Sequence, residues 1–130
     1  MLRIHFHTAK EIQMKYLIGI ATHTGKNIDI HFGHCKEFQV IEVTDNKTYE
    51  AVDVIDAGRA CDGTCDHGEI DRVGEKLKSC KYVLSAKIGP GAAKILRDKG
   101  ITALEIEAPI DYAVEKVMVY DQRKQQSNKG

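Results

Sequence analysis

Two short stretches of this chain concentrate soft-metal ligands: His31-Phe32-Gly33-His34-Cys35 and Cys61-Asp62-Gly63-Thr64-Cys65-Asp66-His67. Thiolate and imidazole are the donors that iron-sulfur species, zinc and copper prefer, whereas magnesium and calcium take carboxylate and carbonyl oxygen. The spacing of Cys61 and Cys65 is wider than the commonest zinc-knuckle spacing and says little alone. Its weight comes from Gly63 inside the loop, His67 two residues on, and the second His/Cys pair. Cys61, Cys65, His31, His34, Cys35 and His67 are therefore the candidate metal ligands. A cluster loop of the radical-enzyme kind, Cys-x-x-x-Cys-x-x-Cys, would need cysteine at position 68, which is Gly68.

Other readings of the same residues stand beside this one. Cys61 and Cys65 could form a structural zinc site with His67 and one of His34 or Cys35, making the chain a zinc-stabilised binding module. They could instead be the working pair of a thiol redox protein. Cys80 reads as a buried thiol, since free cysteine packs as a small hydrophobe. His23 reads equally as a turn residue or a functional one, and His31, by its own type, as a capping or core histidine. Gly89-Pro90-Gly91 alone is an ordinary turn. Asp62, Asp66 and Glu69 form an acidic stretch near a helix start, where negative charge is stabilising.

Composition narrows the function classes. The chain has 130 residues, the size of one domain, and its 19 basic and 19 acidic side chains give a formal net charge of +0. No basic field exists to gather phosphates, so nucleic acid is not the expected partner. The longest apolar runs, such as Tyr16 to Ala21, are strand-length and far below the roughly 20 residues of a membrane span. Arg3, His5, His7, Lys10 and Glu11 interrupt the N-terminal segment, which lacks the apolar centre of a secretory signal. A cytoplasmic location follows as the expectation, and there four cysteines bind metal, react or stay buried as thiols rather than form disulfides. No Gly-x-Ser-x-Gly elbow or phosphate-binding Gly-x-x-x-x-Gly-Lys run is present, and no third member is nominated for a cysteine-histidine dyad, so no enzyme is expected.

The elements that must position these ligands alternate along the chain. Met14 is a second start signal, so residues 1–13 read as a leader or disordered N-terminus. Residues 14–121 read as one α/β domain, and the polar residues 122–130 as a disordered tail. Tyr16 to Ala21 and Phe38 to Val43 read as strands, and Asp45-Asn46-Lys47-Thr48 as a turn that makes Tyr49 to Asp56 the second arm of a hairpin. Gly68 to Lys78, a helix starting at Pro90 and ended by Gly100, and another opened by Pro109 carry helical apolar spacing. Tyr82 to Ala86 and Thr102 to Ile106 complete the strands. The result is a mixed sheet covered by helices on both faces, with one antiparallel strand. Hairpin pairing sets residues near 36 across from residues near 57, and neighbouring strands lie only about 4.8 Å apart. His34 and Cys35 then fall close to Cys61. The loops at Thr22 to Ile28 and at Lys87 to Gly91 converge on the same sheet edge, where open α/β sheets bind ligands. There Gly89 and Gly91 would allow close backbone approach, and the helix at Pro90 would offer N–H groups to an anion.

Several phrases together give a resemblance. They are Tyr16 to Ala21 with its polar turn to Gly25, Asp29-Ile30-His31-Phe32-Gly33, Lys36-Glu37-Phe38, Ile88-Gly89-Pro90-Gly91-Ala92, and Ala108-Pro109-Ile110. From about Met14 to Tyr120 the chain resembles the dinitrogenase iron-molybdenum cofactor biosynthesis family, which includes NifX-like proteins, the cofactor-binding domain of NafY and the C-terminal domain of NifB. The resemblance implies a three-layer α/β/α, ribonuclease H-like fold with a five-stranded mixed sheet. It implies a nitrogen fixation accessory protein that binds and carries an iron-sulfur cluster or an iron-molybdenum cofactor precursor between donor and acceptor proteins, without catalysis. His31 of His31-Phe32-Gly33 is the ligand it carries over. The expected protein is a monomer or weak homodimer with neither nucleic acid nor membrane as partner.

Overall fold

The computed structural model describes residues 13–58 and 67–129. Its elements are β1 (Lys15–Ala21), a 3-10 turn (Phe32–His34), β2 (Glu37–Thr44), β3 (Thr48–Asp56), α1 (His67–Lys76), β4 (Cys80–Ser85), α2 (Pro90–Asp98), β5 (Thr102–Glu105) and α3 (Ile110–Lys129). The five strands form one sheet in the order β3-β2-β1-β4-β5. β2 runs antiparallel to both neighbours, and β1, β4 and β5 are parallel. This is the expected mixed sheet with one antiparallel strand.

Strand alternation explains the three layers. Tyr16, Ile18 and Ile20 of β1, with Ile41, Val43, Tyr82 and Leu84, face α3 through its Ile110, Ala113, Val114, Val117 and Met118. On the opposite face Ala21, Phe38 and Val83 pack with Leu77 after α1 and with Ala92 and Leu96 of α2. Each fully buried Ile, Leu or Phe among these contributes about 2 kcal/mol. Both faces of β2 are covered, so Val40 and Ile41 are adjacent in sequence and both buried. Gly19 lets this second layer approach closely, because a Cβ there would lie 3.3 Å from the Leu77 side chain and 3.5 Å from the Cys80 sulfur.

Local chemistry sets the hairpin. Asp45 and Asn46 have φ of 57° and 52°, the pair of left-handed residues that makes a type I′ turn and matches strand twist. The register then runs from Thr44↔Thr48 to Glu37↔Asp56, slipping once between Val40 and Ile41. The Ala57 N–H continues it by donating to the Lys36 carbonyl at 2.8 Å. Residues 36 and 57 are thus opposite each other, as the turn position predicts.

One expectation requires correction. The stretch 122–130, read as a disordered tail, continues α3 as far as Lys129. Arg, Lys and Gln are strong helix formers even without apolar periodicity. Gln125 also donates to Asp121 at 2.7 Å and lies 3.0 Å from the Met14 sulfur, which ties the helix to the start of β1.

Candidate functional site

The loop that follows β1 is fastened to the far ends of two other strands. The Ile28 N–H donates to the Ala108 carbonyl (2.8 Å), Ala86 N–H to Ile30 (3.0 Å) and Phe32 N–H to Lys87 (2.9 Å). His31 and Lys87 form an isolated parallel bridge. Below the turn, the Phe32 ring is buried against Phe38 with centroids 5.5 Å apart. An aromatic plug and two lines of backbone bonds therefore fix the backbone of His31-Phe32-Gly33-His34. Its histidine side chains stay outside.

His31 and His34 are both exposed, and their rings stack nearly parallel, 5.7 Å apart with 6° between planes. His31 precedes the 3-10 turn and makes no side-chain capping bond, so the capping role open to it in sequence is not the one it takes. Beside His34 lies an open groove of about 550 Å³, lined among the described residues by Thr22, His23, Ile30, His34, Lys36, Glu37, Asp56 and Gly58. No three His, Cys, Asp or Glu side chains among the described residues meet closely enough to hold a single metal ion.

Not every expected ligand stands on this rim. Cys35 is buried at 3 % exposure and packs with Ala21, Phe32, Phe38 and Ala57. Its thiol donates to the Glu37 carbonyl at 3.1 Å, and burial pushes its pKa up to about 11. The thiol therefore lies in the core and off the rim that carries His31 and His34. The side-chain alternation that sends His34 out sends Cys35 in, and the sequence does not declare which of the two faces the core. Cys80 is buried in the same cluster with its pKa likewise raised to about 11 by burial, the inert thiol expected of it. Cys61 and Cys65 lie outside the described residues, as does the side chain of His67, whose backbone opens α1. Gly89 precedes α2 and Gly91 is its second residue, close in sequence to the Lys87 that pairs with His31. A Cβ at Gly89 would meet nothing within 4 Å.

The groove also holds groups that were not singled out as ligands. His23 and Lys36 face it beside the carboxyl-bearing Glu37 and Asp56. The His23 N–H donates to Asp29 at 2.8 Å, and that bond is the main reason the Asp29 carboxyl sits below its ordinary pKa. The position of His23 just past the end of a strand, on the edge that carries His31, was the signal available.

The chain is thus a three-layer α/β domain that presents exposed imidazoles on a fixed rim beside an open groove. The profile of the family described as dinitrogenase iron-molybdenum cofactor matches residues 14–119, and the chain belongs to that family. It is 35 % identical over 105 residues to the FeMo cofactor biosynthesis protein NifB of Frankia alni, covering 78 % of this chain and 20 % of that protein. It is 38 % identical over 94 residues to NifB of Rhodobacter capsulatus, covering 68 % and 20 %. The chain thus spans about a fifth of the length of these relatives. The solved protein PH0822 shares the fold with a TM-score of 0.58 at 19 % identity, over 81 % of this chain and 90 % of its own. A proposed dinitrogenase of Methanocaldococcus jannaschii does so with a TM-score of 0.52 at 16 % identity, over 81 % and 89 %. Among the described residues no helix is long and apolar enough to cross a membrane.

Proposed function

We propose that this chain binds an iron-sulfur type metallocluster or an iron-molybdenum cofactor precursor at the His31 rim and carries it between donor and acceptor proteins, without itself catalysing a reaction. The observation that carries the reading is the stacked, exposed pair His31 and His34 on a backbone fixed from two sides. Rigid presentation with free donor atoms is what a binding site needs and what a core histidine lacks. A structural zinc site gathers four donors around one point. Here His34 stands at an open groove of about 550 Å³, room that suits a cargo of several metal atoms.

Cys61 and Cys65 supply the thiolates in this proposal. Cys61 follows Gly58 by three residues and Cys65 precedes His67 by two. Gly58 itself lines the groove. His67 completes the set, Phe32 and Gly33 shape the turn, and Gly89 and Gly91 leave the α2 N-terminus approachable by an anionic cargo. The printed role of the two NifB relatives, FeMo cofactor biosynthesis, extends to this chain as the process in which the cargo moves. Exposed ligands favour release to an acceptor, and a monomer leaves the rim accessible.

Anaerobic reconstitution with iron and sulfide, followed by optical and paramagnetic resonance spectra of wild type, Cys61→Ala and His31→Ala, tests the reading. The expected result is cluster uptake by wild type with altered spectra or loss of uptake in both variants. Unchanged spectra in both, or one bound zinc with no cluster uptake, would overturn it.

A further inference from the structure

We infer that His23 is a further imidazole ligand of the same groove, reaching the cargo from the turn that follows β1. The inference rests on the carrier reading above and adds a residue to it. His23 and His34 stand at different turns of the one connection between β1 and β2, yet both line one groove. The loop that presents His23 is fixed without using its side chain. Thr22 Oγ1 accepts the Gly25 N–H (2.8 Å) and donates to the Asn27 carbonyl (2.6 Å), while Thr24 Oγ1 accepts the N–H groups of Lys26 and Asn27 (3.1 Å each). Asp29 takes the His23 backbone N–H at 2.8 Å, and Ile110 N–H anchors the loop to α3 by donating to Lys26 at 2.9 Å.

Thr22, Thr24, Asp29 and the backbone therefore do the structural work of this turn. Among the described residues the imidazole of His23 takes part in no hydrogen bond that holds it. It is exposed, and it lines the groove that His34 also lines. An imidazole is not needed for the turn; in the groove it is a donor. The array His31, His34 and His23 offers no common point for one ion, and a body of several metal atoms could be met by more than one of them.

The test uses the full chain loaded anaerobically with iron and sulfide, comparing wild type with His23→Ala. Pulsed paramagnetic resonance counts imidazole nitrogens coupled to the cluster, and a chelator challenge measures retention. His23→Ala is expected to lose one nitrogen coupling and to release the cluster about tenfold more readily, the size of effect typical around metal sites. Added free imidazole should restore much of that retention, which it would not do for a merely structural defect. An unchanged thermal midpoint checks that the turn survives. Equal couplings and retention in the two proteins overturn the inference and leave the carrier reading intact. No cluster uptake by wild type overturns both.

Discussion

The two ends of the sheet use polar side chains in opposite ways. At the hairpin end Asp121 of α3 is fully buried, yet it accepts from Tyr82 (2.5 Å), Lys81 (2.7 Å), Asn46 (3.0 Å) and Gln125 (2.7 Å). Asn46 in turn accepts from Tyr16 at 2.5 Å. At the other end the imidazoles of His23, His31 and His34 are exposed, and no hydrogen bond to their ring nitrogens occurs among the described residues. A polar group whose bonding capacity is filled holds the fold; one that is rigidly displayed and unfilled is available to a ligand. The molecule separates these tasks by the length of a strand.

Breaking the filled end has the largest expected effect on stability. Asp121→Ala strands the Tyr82 hydroxyl and two amides, and each buried unsatisfied group costs about 1–3 kcal/mol, so a loss of about 3 kcal/mol is expected in urea unfolding. The Lys81 partner is 42 % exposed, and solvent screening makes its share small. Cluster uptake by the folded variant should be unchanged, because the rim lies at the other end.

The same network sets a pH dependence. Burial works against the Asp121 charge, but the hydrogen bonds from Lys81, Tyr82 and Asn46 outweigh it and hold the carboxyl below its usual range. A depressed folded pKa gives stability that is complete above the unfolded value of about 3.9 and is lost as pH falls through the folded one. The stability advantage of wild type over Asp121→Asn should therefore be constant near neutrality and shrink on acidification below about pH 4. Unfolding midpoints of both proteins across that range provide the check.

Cys35 sharpens the boundary between the two ends. Cys35→Ala should cost about 1 kcal/mol through lost packing and leave cluster spectra as in wild type. In the folded chain it should resist alkylation near pH 8, about three units below its raised pKa. The smallest stability effects belong to His31→Ala and His34→Ala, within about 0.5 kcal/mol as for exposed positions. For them the large change falls on cluster retention.

Local chemistry made much of this legible in the sequence. The Asp45-Asn46 turn announces the hairpin and its register, and Pro90, Gly100 and Pro109 mark helix boundaries near those observed. Hairpin register and the convergence of loops pointed to His31 and His34 on one sheet edge. Cys35 was not legible as a core residue, because the sequence does not say which of His34 and Cys35 turns inward where the 3-10 turn ends, and its burial depends on Phe32 and Phe38 closing around it. The Asp121 network was invisible for a related reason: Asn46, Lys81, Tyr82 and Asp121 are far apart in sequence and meet only after α3 lies across the sheet. The tail beyond residue 121 misled through its polarity, which disfavours burial without disfavouring helix.

The distribution of a bound paramagnetic cluster tests the account most directly. In NMR spectra of the chain reconstituted with iron and sulfide, resonances of His23, His31, Gly33 and His34 should broaden beyond detection, while those of Asn46, Tyr82 and Asp121 stay sharp. Broadening centred on the hairpin end, or an unperturbed rim in a cluster-loaded protein, would contradict it.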